Sequence, residues 1–220
     1  MESKVLRESN LLKTTEAAIV ANVDVHHVNK LIDEGILPGE LFVLNHARRV
    51  LLGGCVAINF YINTADILDA SARRYAIRFL MPRLRDLWAF DIDGSSPEDW
   101  SVHRKFVTID FGDVVADTRT RLDVLERARE AVTSDPEILG GTLVLKGTRV
   151  PVYGVAAMLL SGIPHEEILE DYPSLDKLKL ELAAIYAKAN PQRGRPSERM
   201  KVPAGSKLEA YKTFPRRKAR

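Results

Sequence analysis

The amino-acid sequence predicts a mainly α-helical protein with small β elements. Apolar residues recur at three- to four-residue intervals over long stretches, for example at Leu122, Leu125 and Ala128, which is the spacing of one helix face. Extended patterns are short by comparison, and the clearest alternation of apolar and polar residues lies between Phe106 and Phe111. A length of 220 residues allows one large domain or two small ones.

The composition is ordinary for a soluble globular protein, with 45% hydrophobic and 7% aromatic residues. Cys55 is the single cysteine, which excludes an internal disulfide and a multi-cysteine zinc site, and we expect it to be a buried small hydrophobe. The N-terminus has no apolar segment typical of a secretory signal. Val50 to Ile62 is the most apolar stretch, but it is shorter than the ~20 residues that span a bilayer. We therefore expect a cytoplasmic protein that does not enter the membrane.

Positive charge is concentrated at the C-terminus. Residues 191–220 contain ten Lys and Arg against Glu198 and Glu209, a net charge of +8, so residues 1–190 carry −6. This tail has four prolines and no periodicity, which predicts disorder in isolation. A basic tail favours a polyanion or an acidic protein cleft as its partner, and a purely solubilising role is the alternative.

The stretch from Thr14 to Asp33 meets the requirements of a DNA-binding helix-turn-helix. Ala18 is small enough for the second helix to cross closely, and Asn22 tolerates a left-handed turn conformation. Asp24 is an N-cap residue, and Val28 begins the inward face of the second helix. These requirements are met in the right order and spacing, although a helical pair that binds protein is the alternative.

The face opposite Val28 would read DNA. Asn side chains pair with adenine, Lys with guanine or phosphate, and neutral His with either, and hydroxyls at the start of the first helix suit phosphates. The adjacent His26 and His27 diverge by about 100° on a helix, so we expect no metal there. The predicted DNA contacts are Thr14, Thr15, Val25, His26, His27, Asn29, Lys30, Arg48 and Arg49.

Residues 31–52, LIDEGILPGELFVLNHARRVLL, resemble the start of the MerR and excisionase family of winged helix-turn-helix domains. The resemblance implies a short wing after Pro38, with Arg48 and Arg49 beside it, and Asn45 as the cap of the next helix. This N-terminal DNA-binding domain would cover residues 1–90. Its last helix is a candidate core or dimerisation helix, and its expected apolar side consists of Ile67, Leu68, Tyr75, Phe79 and Leu80.

Residues 91–132 are interpreted as a linker that contains a strand and a helix. Residues 91–101 are rich in Gly, Ser, Pro and Asp, which is typical of a turn or linker. Residues 104–115 alternate as a strand or hairpin does, and helical spacing returns after Thr118.

The stretch from Ile138 to Val152, ILGGTLVLKGTRVPV, lacks both the Gly-Lys-Ser/Thr of a Walker loop and a G-x-G-x-x-G pattern. A tight turn with positive φ at Gly140 and Gly141 explains its glycines better. We expect residues 133–190, which include this stretch, to form a β-hairpin followed by three helices. We expect Gly162 to end the first helix and Ser174 to cap the third, whose predicted apolar stripe is Leu175, Leu178, Leu182 and Ile185.

Residues 134–187 combine D-P-x-I-x-G-G, G-T-R-x-P-V, E-E-I-L and Y-P-x-L elements, and they resemble antitoxins of the VapB class from type II toxin–antitoxin pairs. The resemblance implies a PIN-domain ribonuclease toxin as partner. The tail of residues 191–220 would then bind that toxin and place an Arg among its carboxylates. The candidate toxin contacts are Arg193, Arg195, Arg199, Tyr211, Phe214, Arg216, Arg217 and Arg220.

The sequence therefore predicts an antitoxin that inhibits a ribonuclease toxin and binds operator DNA to repress its own operon. A homodimer or a larger toxin–antitoxin hetero-oligomer is expected, because paired half-sites are usual. The alternative is a stand-alone transcriptional regulator whose Arg-Gly-Arg-Pro at residues 193–196 resembles an AT-hook. We expect no cofactor, no metal and no enzymatic activity, because no nucleophile, metal-ligand or phosphate-loop spacing is present.

Overall fold

A computed structural model describes residues 11–87 and 100–192 of the chain. Eight α-helices lie in this part: α1 (Thr14–Val20), α2 (Val25–Asp33), α3 (Leu52–Asn63), α4 (Ala70–Asp86), α5 (Gly112–Glu130), α6 (Val152–Leu160), α7 (His165–Asp171) and α8 (Lys177–Ala189). The strands are β1 (Leu12–Lys13), β2 (Phe42–Leu44), β3 (Arg48–Val50), β4 (Ser101–Arg104), β5 (Val107–Asp110), β6 (Val132–Thr133) and β7 (Val144–Leu145). The prediction of a mainly α-helical fold with small β elements is confirmed.

The larger core is formed by α1 to α5. Val20, Leu31, Ile58 and Leu125 are almost completely buried in it, and the rings of Phe60 and Phe111 lie 4.0 Å apart between centroids. All residues from Leu52 to Phe60 are buried, so α3 is the central helix of this core. Its apolar run therefore serves packing, as expected for a helix that is apolar on all sides.

A three-stranded antiparallel sheet in the order β1–β3–β2 lies beside these helices. Val50 pairs with Leu12 on one side and with Phe42 on the other. Asn45 lies in the turn between β2 and β3, and α3 begins only at Leu52. The prediction that Asn45 caps the next helix is therefore wrong, because the extended segment continues through β3 to Leu51.

Helix α5 belongs to the larger core, which corrects the interpretation of residues 91–132 as a linker. Val115, Leu122 and Leu125 are buried in the core. Arg121 donates its Nε–H to the carbonyl of Val20 at the end of α1, at 2.9 Å. Helical spacing predicted the helix correctly, but the apolar face of α5 packs against α1, α3 and α8. Strands β4 and β5 form the hairpin expected from the alternation in this region.

The outer face of α4 also differs from the prediction. Ile67, Tyr75 and Phe79 are exposed to solvent, whereas Ile77 and Leu84 point into the core. The expected apolar side of Ile67, Leu68, Tyr75, Phe79 and Leu80 is thus wrong, although Leu80 is buried and Leu68 packs against the core. The reason is that Ala76 marks the buried face, and a small residue carries little weight in a hydrophobic pattern.

A second, smaller core joins β7 to α6, α7 and α8, and includes Leu145, Val155, Ile168 and Leu180. Strand β7 pairs with β6, and Val144 also forms a bridge to Pro151. Gly140 and Gly141 have φ of 63° and 83°, as expected for the turn that precedes β7.

The third helix of this unit begins differently from the prediction. Asp176 caps α8 by accepting a hydrogen bond from the Lys179 amide at 2.7 Å, so Ser174 is not the cap. Leu178 is exposed, while Leu180 is buried. Of the expected stripe of Leu175, Leu178, Leu182 and Ile185, only Leu178 is wrong, since Leu175 and Leu182 are buried and Ile185 packs against the larger core.

The C-terminal end of α8 is attached to the start of α1. Thr15 donates its hydroxyl to the carbonyl of Ala189 at 2.6 Å, and the Lys13 ammonium donates to the Asn190 side chain at 2.6 Å. Tyr153 at the start of α6 donates its hydroxyl to the Asn190 carbonyl at 2.7 Å. Together with the packing of α8 against α5, these contacts join the two cores.

Cys55 is completely buried in α3, as expected, and burial raises the pKa of its thiol well above the usual range. In the part of the chain that the structure describes, no helix has both the length and the apolar character needed to cross a membrane.

Candidate nucleic-acid interface

The connection between α1 and α2 is a tight turn built around Asn22. Asn22 has a φ of 53°, a left-handed conformation that Asn accepts more readily than most residues. The amide of Val23 donates to the Ala18 carbonyl at 2.9 Å, and Ala18 is buried where the two helices meet. Asp24 caps α2 by accepting a hydrogen bond from the His26 amide at 2.7 Å. Each of these residues has the conformation that its sequence position predicted.

Helix α2 has one buried and one exposed face. Val28 and Leu31 point into the core, and Val25 packs against it at the start of the helix. His26 and Lys30 are exposed. The exposed side chains stand one turn apart on the side away from the core, so they are available to a ligand.

His27 occupies an intermediate position on α2. Its ring is half-buried and tilted by 54° relative to that of His26, with 5.9 Å between the ring centroids. Nδ1 of His27 is buried and has no hydrogen-bond partner among the described residues. No group of three or more His, Cys, Asp or Glu side chains in the described ranges could hold a metal ion.

Arg48 connects β3 to α2. Its Nη2 lies 2.6 Å from the Asp33 carboxylate, and its Nη1 donates to the side-chain oxygen of Asn29 at 3.1 Å. Asn29 also donates its amide to the Val25 carbonyl at 3.1 Å. Both polar groups of Asn29 are therefore already bonded within the protein. The prediction that Asn29 reads adenine does not fit this arrangement, in which Asn29 instead contacts Arg48 of β3.

Arg49 points away from Arg48, because successive side chains on a strand lie on opposite faces. It lines a surface groove of about 610 Å³ together with Lys13, His46 and Arg129. The prediction placed both arginines near the wing. In the structure the two side chains have different surroundings. Arg48 contacts α2, whereas Arg49 lines the separate groove with Lys13, His46 and Arg129.

Thr15 lies in α1, on the side that packs against the end of α8. Its hydroxyl is donated to the Ala189 carbonyl, and the residue also lines the groove beside the turn between α1 and α2, so a phosphate contact of Thr15 stays a prediction. Thr14, the first residue of α1, is half-buried.

The candidate toxin contacts lie outside the described residues. They are Arg193, Arg195, Arg199, Tyr211, Phe214, Arg216, Arg217 and Arg220.

Sequence reasoning missed three polar residues of this region. Asp33 was the last residue of the motif, but no spacing rule links it to Arg48, fifteen positions later. Arg121 and Lys188 line a groove of about 600 Å³ beside the turn between α1 and α2. Both come from distant helices, so only the tertiary fold brings them to this turn.

A family model described as "Protein of unknown function (DUF433)" matches residues 132–187, which span β6 to most of α8. Over its whole length the chain also resembles the "Uncharacterized protein y4eO" of Sinorhizobium fredii (strain NBRC 101917 / NGR234), with 44% identity over 218 residues that cover 99% of each chain. The chain belongs to the family of this Sinorhizobium protein and carries a DUF433 segment. No solved structure matches the chain.

Proposed function

We propose that the chain binds duplex DNA through α1, α2 and the β2–β3 wing, as a winged helix-turn-helix does. The observation that carries the proposal is the double contact of Arg48 with Asp33 and Asn29. It holds the wing against α2 while His26 and Lys30 stay exposed. A recognition helix and a wing in one fixed relation present a single rigid surface to the groove and to the backbone beside it.

The exposed residues have suitable chemistry. Lys30 pairs with guanine or phosphate, and His26 at the start of α2 lies where base edges are reached. The only ion pair of Lys30 in the described ranges is with Glu34, at 3.9 Å, and both side chains are about half exposed. Such a surface pair is weak, so Lys30 can exchange it for a DNA contact.

As a DNA-binding protein the chain would regulate transcription, and its own operon is the first target to test. Two half-sites bound by a homodimer would supply the affinity that one short helix lacks. We expect the operator in the DNA upstream of the coding region.

Binding of this upstream duplex by the purified full chain tests the proposal, with fluorescence anisotropy as the readout. The double variant His26→Ala, Lys30→Ala should lose at least tenfold in affinity, since each good base contact contributes about 1–3 kcal/mol. Lys146→Ala is the matched control, because Lys146 is exposed in the DUF433 segment, away from α2. Equal affinity of the double variant and the wild type would contradict the assignment of α2.

We propose as a second activity that the chain is an antitoxin that inhibits a PIN-domain ribonuclease. Two features support it: the resemblance of residues 134–187 to VapB antitoxins, and three exposed leucines on that unit. Leu139, Leu160 and Leu178 are 54%, 89% and 45% exposed, and α6 contains no charged residue. Each of these leucines is free to make an apolar contact with a protein partner.

Coexpression with the product of the neighbouring reading frame tests the antitoxin activity. The full chain should copurify with that protein and suppress its ribonuclease activity, and deletion of residues 193–220 should abolish the suppression. Lack of copurification would leave the alternative, a stand-alone DNA-binding regulator.

A further inference from the structure

We propose that a groove formed by the α1–α2 turn, α5 and α8 binds a backbone phosphate of the same DNA through Arg121 and Lys188. This inference rests on the proposed function. It adds a contact from the second half of the chain to a surface that the first half would otherwise supply alone.

The groove lies directly beside the start of α2. Its volume is about 600 Å³, and its lining includes Asn22 and Val25 from the turn, Arg121 from α5, and Lys188 and Pro191 from the end of α8. The first residues of a recognition helix point towards the DNA. The phosphates of the DNA flank the major groove that this helix enters. A cationic groove at this end of α2 is therefore placed to receive a phosphate.

Arg121 is held in position for such a contact. Its Nε–H is donated to the Val20 carbonyl at 2.9 Å, and its Nη1 lies 3.8 Å from the Asp117 carboxylate. Nη2 is buried and has no hydrogen-bond partner among the described residues. The guanidinium is thus fixed through Nε, and Nη1, whose contact with Asp117 is long at 3.8 Å, is the nitrogen that can donate to a phosphate oxygen.

Lys188 supplies the second cation. It is exposed in the last turn of α8 and forms no ion pair within the described ranges. Asp24 is the acidic residue of the groove, and its carboxylate already accepts the His26 amide. The lining residues thus carry Arg121 and Lys188 against Asp24, a formal net charge of +1, which favours an anion such as a phosphate.

The position of Lys188 depends on the attachment of α8 to α1. Thr15 and Lys13 hold Ala189 and Asn190, so the DUF433 segment ends against the proposed DNA-binding helices. The chain continues from Pro191 into residues 193–220, which carry ten Lys and Arg against two Glu. In the sequence, Lys188 and Pro191 of the groove are thus followed by a basic segment.

The test uses the full chain with two duplexes, the upstream DNA and a scrambled duplex of equal length, between 50 and 200 mM salt. Lys188→Gln should weaken binding of both duplexes about five- to tenfold, and lower the slope of log K against log salt by about 0.9, as one lost phosphate contact does. Lys177→Gln, an equal charge change at the other end of α8, should leave affinity and slope unchanged.

Arg121 needs a variant that separates charge from packing. Arg121→Lys keeps the charge and should retain most of the affinity, whereas Arg121→Gln should lower affinity and slope as Lys188→Gln does. A structural role would instead lower the melting temperature of both variants together with their DNA affinity.

Three outcomes would overturn the inference. Wild-type affinity and slope in both Lys188→Gln and Arg121→Gln would show that the groove does not contact DNA, while the variants of α2 still test the proposed function. Loss of toxin binding with unchanged DNA binding would assign the groove to an acidic protein. Failure of the wild type to bind either duplex would refute both proposals.

Discussion

Arg129 on α5 lies 2.9 Å from the carboxylate of Glu16 on α1. The Glu16 side chain is only 4% exposed, and it also accepts a hydrogen bond from the Lys13 amide at 2.8 Å. This buried contact fastens α5 to the first of the two proposed DNA-binding helices.

We predict that Arg129→Met destabilises the protein by about 2–3 kcal/mol, because the buried Glu16 carboxylate loses its closest cation and keeps only the Lys13 amide and the Lys13 ammonium at 3.9 Å. Denaturant unfolding measures the change. Arg127→Met is the control, since Arg127 is exposed on the same helix, and it should have little effect. If both substitutions lower the free energy of unfolding by the same small amount, the contact between Arg129 and Glu16 does not stabilise the protein.

The link between Arg48 and Asp33 should matter more for DNA binding than for stability. The two side chains are 37% and 57% exposed, and exposed ion pairs contribute at most about 1 kcal/mol. Asp33→Asn should nevertheless weaken DNA binding, because the wing loses its fixed position relative to α2. If Asp33→Asn binds as tightly as the wild type while Arg48→Ala does not, Arg48 acts by touching DNA directly.

Gly53 should not tolerate a side chain. A Cβ at this position would lie 1.8 Å from the carbonyl oxygen of Leu84, where α3 and α4 cross. Gly53→Ala should cost at least about 2 kcal/mol and lower the melting temperature. Gly154→Ala in α6 is the matched control, because its Cβ would only reach ordinary contact with Pro151 at 3.8 Å, and it should be neutral or stabilising.

Gly140 should be sensitive for a different reason. Its φ is +63°, and nothing lies within 4 Å of an added Cβ, so the cost of Gly140→Ala is backbone strain alone, about 1–2 kcal/mol. Gly140→Asn should recover part of this loss, since Asn tolerates the left-handed region. Equal stability of the Ala variant and the wild type, measured by thermal unfolding, would show that the turn rearranges without strain.

Local features of the fold could be predicted from the sequence because they depend on neighbouring residues. The left-handed turns at Asn22 and Gly140, the cap at Asp24 and the inward face of α2 at Val28 follow from short-range sterics and hydrogen bonding. The partners of these elements could not be predicted in the same way. Nothing in the spacing of Arg48 indicates that it binds Asp33 and Asn29 and thereby uses the amide expected to read adenine.

The sequence by itself determined a mainly helical chain, the bounds of α1 and α2 to within a residue or two, and the glycines that turn the backbone before β7. Tertiary structure decided that α5 is part of the core, that α8 ends on α1, and that Arg121 and Lys188 meet beside α2. The physical reason is the distance along the chain over which each kind of interaction acts. Backbone conformation and amphipathic spacing act over a few residues, whereas the burial of Glu16 against Arg129 and the attachment of Thr15 to Ala189 require segments more than a hundred residues apart to pack together.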